Sequence, residues 1–181
     1  GADFAHAAAA AVLFHDFWQT RPDRESGIHS ARVFGPPGQR VQIIMLDTRT
    51  FRSPLKRKST SFPHWGPYEP DPSPEKTMLG AGQWSWLEAE LKRPAEIRLL
   101  VSGIQVLAEG HGFERWGNLP AERARLMSLI DRTGTAGVIM LSGDRHAGAL
   151  YAAATPAGRR IVEMTASSLN RSYGPSKDAR Q

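Results

Sequence analysis

The run Val138-Ile139-Met140-Leu141-Ser142-Gly143-Asp144-Arg145-His146 ends an apolar stretch on a small-residue turn that carries a carboxylate and an imidazole two positions apart. Carboxylate oxygen and neutral imidazole nitrogen are ligands for iron, manganese, zinc or cobalt, and carboxylates also suit calcium. Arg145, between them, offers a guanidinium that grips phosphate through paired hydrogen bonds. The competing account is a turn in which Asp144 caps the next element and His146 packs beneath it. Spacing alone leaves the two accounts level. Asp47-Thr48-Arg49 closes another apolar run. Arg49 there could orient a phosphate, but an internal Asp/Arg pair stabilising the loop is the favoured account. Ser102-Gly103-Ile104-Gln105 is a third such turn, where satisfaction of loop backbone is the simpler role. His111, Glu114, Asn118 and Glu122 have no spacing that demands a metal, and His15, His29 and His64 stand isolated. Trp84-Ser85-Trp86 places one indole on the core and the other at a groove. No GxGxxG follows a strand, and neither a P-loop nor a GxSxG is present, which disfavours dinucleotide, NTPase and α/β-hydrolase chemistry.

The elements that must carry these turns can be read from periodicity and punctuation. Residues 4–18 are Ala-rich with an aromatic end and predict a helix. Residues 28–34 and 41–46 predict two strands of a hairpin around Gly35-Pro36-Pro37-Gly38. Residues 52–78 hold six prolines and the basic run Lys56-Arg57-Lys58, and predict either a surface excursion or a substrate lid. A helix over 79–91 is stopped by Pro94, a strand follows over 97–101, and Pro120 opens a helix reaching residue 130. Residues 138–141, four apolar side chains in a row, predict a strand buried on both faces. Residues 150–153 and 160–164 predict a last hairpin. Helices between strands permit parallel pairing while hairpins demand antiparallel pairing, so the fold class is α/β with a mixed sheet and flanking helices. Ligands in such sheets sit beyond the carboxyl ends of the strands, where all three turns lie.

Composition sets outer limits. The chain has 181 residues, 40% hydrophobic and 23% charged, enough for one domain with a core. Its formal charge of +5 suits anionic ligands, yet the basic residues are scattered and point to no nucleic acid. There is no cysteine, so any metal must use oxygen and nitrogen ligands. No apolar run is long enough to span a bilayer.

Several segments together resemble the alkaline phosphatase D (PhoD-like) family of calcineurin-like metallophosphatases. They are Leu46-Asp47-Thr48-Arg49 with Phe51-Arg52, then Leu79-Gly80-Ala81-Gly82-Gln83-Trp84-Ser85-Trp86-Leu87, then Ser102-Gly103-Ile104-Gln105-Val106. Trp116-Gly117-Asn118-Leu119-Pro120-Ala121-Glu122-Arg123, Leu141-Ser142-Gly143-Asp144-Arg145-His146 and Thr165-Ala166-Ser167-Ser168-Leu169 complete the ordered set.

The resemblance implies a metal-dependent phosphoric ester hydrolase, an alkaline phosphatase or phosphodiesterase, with iron and calcium as the metals. It implies a two-sheet β sandwich flanked by helices, of which residues 1–181 are the C-terminal portion. Asp144 and His146 match the family's C-terminal metal-binding motif, His146 is the catalytic candidate, and Arg145 and Arg49 are candidates for binding the phosphate ester. The family's N-terminal motifs, which carry further ligands, are not in this sequence. The chain is therefore expected to be inactive alone, to lack the half of the domain that is its partner, and to expose a sheet edge and face. A periplasmic or extracellular location follows from the same resemblance. The rival of another class is a non-catalytic α/β binding domain whose Pro-rich basic loop docks an acidic partner.

Overall fold

Val41-Gln42-Ile43-Ile44-Met45 forms a strand that faces two ways. Gln42 and Ile44 are fully buried, whereas Met45 is exposed. The same alternation recurs through a computed structural model that describes residues 4–20, 27–60, 66–168 and 170. Helix α1 is Ala7–Trp18, followed by β1 Ser30–Phe34, β2 Val41–Met45, α2 Gly80–Leu91 and β3 Ile97–Ser102. A short 3-10 turn at Trp116–Asn118 leads into α3 Pro120–Arg132, then β4 Val138–Ser142, β5 Gly148–Ala154 and β6 Arg160–Ala166. Residue 21–26 of the polar turn, His64 and most of the tail lie outside the described residues.

The strands form one six-stranded sheet in the order β1-β2-β3-β4-β6-β5. Pairs β2/β3, β3/β4 and β4/β6 are parallel, and the two predicted hairpins, β1/β2 and β5/β6, are antiparallel edges. The mixed α/β architecture with flanking helices is therefore as expected. Parallel registers align the ends of β3, β4 and β6: Ser102 pairs with Ser142, and Ser142 with Thr165.

Helices α2 and α3 cover one face. Trp84, Leu87 and Leu91 from α2 and Leu126, Leu129 and Ile130 from α3 join Ile44, Leu100, Met140, Tyr151 and Ile161 in one core. The two helices are locked by the buried carboxylate of Glu122, which accepts from Thr77 Oγ1 (2.8 Å), Met78 N (2.6 Å) and Trp84 Nε1 (2.7 Å). As expected of the Trp pair, Trp84 is in the core, while Trp86 is half-buried against the His29 ring at 4.5 Å.

The other face departs from the expectation of a strand buried on both sides. Val138, Met140 and Ser142 of β4 are buried, but Ile139 and Leu141 are only half-buried. The register lines up Met45, Val101, Leu141, Met164 and Leu150 across the sheet on this face. Of these, Met45, Met164 and Leu150 are exposed. The run of apolar residues thus leaves one face half-buried, and the described residues form a single sheet layer.

The described residues of 52–78 contain neither helix nor strand, yet they are pinned. Ser53 N donates to Thr77 O (2.9 Å), Tyr68 N to Gly112 O (2.7 Å) and Asp71 N to Asn118 O (2.9 Å). The basic run spends its charge internally: Lys56 pairs with Glu69 (2.9 Å), Arg57 lies over Tyr68 and Lys58 Nζ donates to Gly66 O (3.2 Å). No described helix is long and apolar enough to cross a membrane.

Candidate metal and phosphate site

The site begins where β2 stops. Asp47 is buried and acts as the former of its own turn. Its Oδ1 accepts the N–H of Arg49 and of Thr50 (both 2.9 Å), and its Oδ2 accepts Ile28 N (3.0 Å). Gln83 of α2 clamps the same residue, accepting Asp47 N (2.8 Å) and donating to Asp47 O (2.9 Å). Burial pushes the Asp47 carboxyl up, but the hydrogen bonds from Thr50, Arg49 and Ile28 outweigh it and hold the group below its ordinary value. The expected internal Asp47/Arg49 ion pair is not what the structure shows: Asp47 shapes the turn through backbone N–H groups, and the Arg49 guanidinium goes to Glu114 and Asp144.

That guanidinium spans to the end of β4. Arg49 NH2 donates to Asp144 Oδ1 (3.1 Å), and Arg49 NH1 pairs with Glu114. Glu114 in turn accepts from NH2 of the buried Arg52 (2.8 Å). The result is a relay, Arg52–Glu114–Arg49–Asp144, running from the interior to the strand-end turn. Burial raises the Glu114 carboxyl, and the Arg52 and Arg49 charges more than offset this and keep it below the usual range.

Asp144 and His146 both adopt left-handed backbone, at φ 70° and 54°. Non-glycine residues reach this region at a cost, and such strain gathers at functional sites. The turn is held by Arg145 N on Gly143 O (2.9 Å) and His146 N on Ser167 Oγ (2.6 Å). The Arg145 guanidinium lies over the Phe113 ring, 4.4 Å from its centroid. The structure thus joins Arg49 to Asp144 directly, while Arg145 is turned toward the 111–115 loop.

Beneath the turn, polar side chains satisfy one another. Ser142 Oγ meets Thr165 Oγ1 (2.9 Å), and Gln105 Nε2 donates to Thr165 Oγ1 (2.9 Å) and Tyr151 OH (3.1 Å). Gln105 Oε1 bonds His111 Nε2 (3.0 Å), and Ser102 Oγ donates to Ile104 O (2.6 Å). Ser102 satisfies loop backbone as expected, whereas Gln105 bonds the side chains of Tyr151, Thr165 and His111 and with them braces the floor. Glu114 and Arg52 are the residues that sequence reasoning did not place: Arg52 lay in a matching stretch, but nothing local pairs Glu114 with Arg52 or Arg49, 62 and 65 residues away in the chain.

The PhoD-like phosphatase family matches over residues 3–181. The chain belongs to the PhoD-like phosphatase family. Its fold is similar to a solved structure described as PhoD, with a TM-score of 0.68 and 22% identity, covering 90% of this chain and 34% of that one. The PhoD-like chain thus spans about a third of that relative's length. No curated protein matches it.

The metals implied by the family can be tested against these donors. One carboxylate and one imidazole suit iron, and the carboxylate suits calcium. The Arg49 cation already seated on Asp144 shows that this oxygen is placed to hold positive charge. Among the described residues, however, no group of three or more His, Cys, Asp or Glu side chains converges. Asp144 and His146 offer two donors whose chemistry suits such metals.

Proposed function

We propose that the PhoD-like chain is the C-terminal portion of a metal-dependent phosphoric ester hydrolase. The observation that carries this is the meeting of Arg49 from the end of β2 with Asp144 from the end of β4, 3.1 Å apart on the edge where α/β sheets bind ligands. Asp144 and His146 hold part of a metal site, with iron and calcium as the expected occupants. The bound metal supplies Lewis-acid stabilisation of charge on the phosphoryl oxygens. Arg49 binds and orients the phosphoryl group, and Glu114, anchored on Arg52, fixes the direction of that guanidinium. Arg145 adds positive charge at the same rim. Ser167 keeps the turn in shape through the His146 N–H. Export from the cytoplasm accompanies this reading.

The deciding experiment assays residues 1–181 alone beside the natural full-length protein, both with iron and calcium, against a chromogenic monoester and diester. Activity in the longer form alone supports a site completed by other parts of the protein. Folded, metal-replete and inactive protein in both forms supports a binding domain instead. In the active form, His146→Ala is expected to remove most turnover and lower bound metal at least about tenfold; wild-type turnover and metal content in that variant would exclude His146.

A further inference from the structure

A cleft of about 340 Å³ opens between α1 and the strand-end turns. Ala7, Ala11 and Phe14 line it from α1, and Ile28, Arg49 and Thr50 line it from the turns. Its size is that of a small-molecule pocket, mostly apolar with few polar groups. The helix that forms it is tethered on the same side: His15 bonds Thr20 Oγ1 (2.7 Å) and the carbonyl of Gly27 (3.1 Å). The next residue, Ile28, hangs from Asp47. The cleft is thus built on the turn that carries Arg49.

Two features decide what it can hold. The Thr50 hydroxyl gives its proton to Asp47, so among the lining side chains only the Arg49 guanidinium is left to donate to a hydroxyl-rich guest. Arg49 belongs to both places, lining the cleft while it reaches Asp144, and it has more N–H donors than its two ion pairs use. A ligand that spans them has an anionic end at Arg49 and an apolar end against Ala11 and Phe14.

We propose that this cleft is the subsite for the alcohol group of the phosphate ester, and that it takes an aryl or short alkyl group in preference to glycerol or a sugar. The proposal rests on the phosphohydrolase reading, because that reading puts the phosphoryl group at Arg49. Burial of a phenyl ring there removes enough apolar surface from water for a gain of about tenfold or more in affinity.

The test uses the full-length protein with iron and calcium, and calorimetric Kd values for phenylphosphonate, methylphosphonate and glycerol 2-phosphate. Phenylphosphonate is expected to bind about tenfold tighter than the other two. Ala11→Trp, which fills the cleft from an accessible helix face, is expected to bring phenylphosphonate down to methylphosphonate; Ala7→Trp, one turn away, does the same should the first variant fail to fold. Equal affinities in the wild type, or a phenyl gain that survives both tryptophans, overturn the proposal. Hydrolysis of 4-nitrophenyl phosphate is followed in parallel. Turnover without a phenyl gain sinks the subsite alone. A phenyl gain without turnover sinks the hydrolase reading and leaves an anion-binding cleft.

Discussion

Asp47 and Glu114 do different work at the same edge, and both are carboxylates held below their ordinary values. A group whose folded value is depressed gives stability that is full above its unfolded value, about 3.9 for Asp and 4.3 for Glu, and is lost as pH falls through the lower folded value. Asp47→Asn is therefore expected to flatten the acid limb of a stability-against-pH curve. At neutral pH it should cost about 1–3 kcal/mol in urea unfolding, since three part-buried N–H bonds lose their charged acceptor. Glu114→Gln strands the buried Arg52 without its carboxylate and frees Arg49. A loss of about 2 kcal/mol in urea unfolding is expected; unchanged stability would mean that the relay is no anchor. The strand-end positions of Asp47 and of Asp144-x-His146 were legible in the sequence, because apolar runs and small-residue stops are local signals, but the bonding of Asp47 to backbone N–H groups was not. Glu114 was not: its role exists only once the 111–118 loop is folded against the end of β2.

At the scale of elements, the helices and strands were legible with ends off by up to three residues (α1 starts at Ala7 and β5 at Gly148), because Pro94, Pro120 and the Gly/Pro turns punctuate strong apolar patterns. The first strand starts two residues later than its composition predicts, at Ser30. Ile28 N is taken by Asp47, outside the ladder. What could not be read was the one-sided burial of β4, since a strand awaiting cover and a strand already covered have the same composition. The entry to β4 rests on Gly137, at φ 65°, where an added Cβ would sit 2.2 Å from the Glu96 carbonyl oxygen. Its own carbonyl accepts Arg98 N (2.8 Å), coupling the starts of β3 and β4. Gly137→Ala is expected to destabilise the chain by at least about 1–2 kcal/mol, read from the midpoint of denaturant unfolding, with the largest loss of amide protection in β3 and β4.

For the whole molecule, the apolar row from Met45 to Leu150 makes association the expected behaviour of this chain by itself. Sedimentation at rising concentration should show it, and the pair Met45→Lys with Met164→Lys should return the chain to monomer without altering its circular dichroism. A chain that stays monomeric before substitution contradicts this account of the face. The left-handed turn at Asp144 and His146 has a consequence on the same scale. Glycine would occupy either position without strain, and relief of one such residue is worth roughly 1 kcal/mol. Selection for heat resistance alone would thus drift toward glycine at both places, and the sturdiest descendants would be the ones without the carboxylate and the imidazole that the proposed site uses.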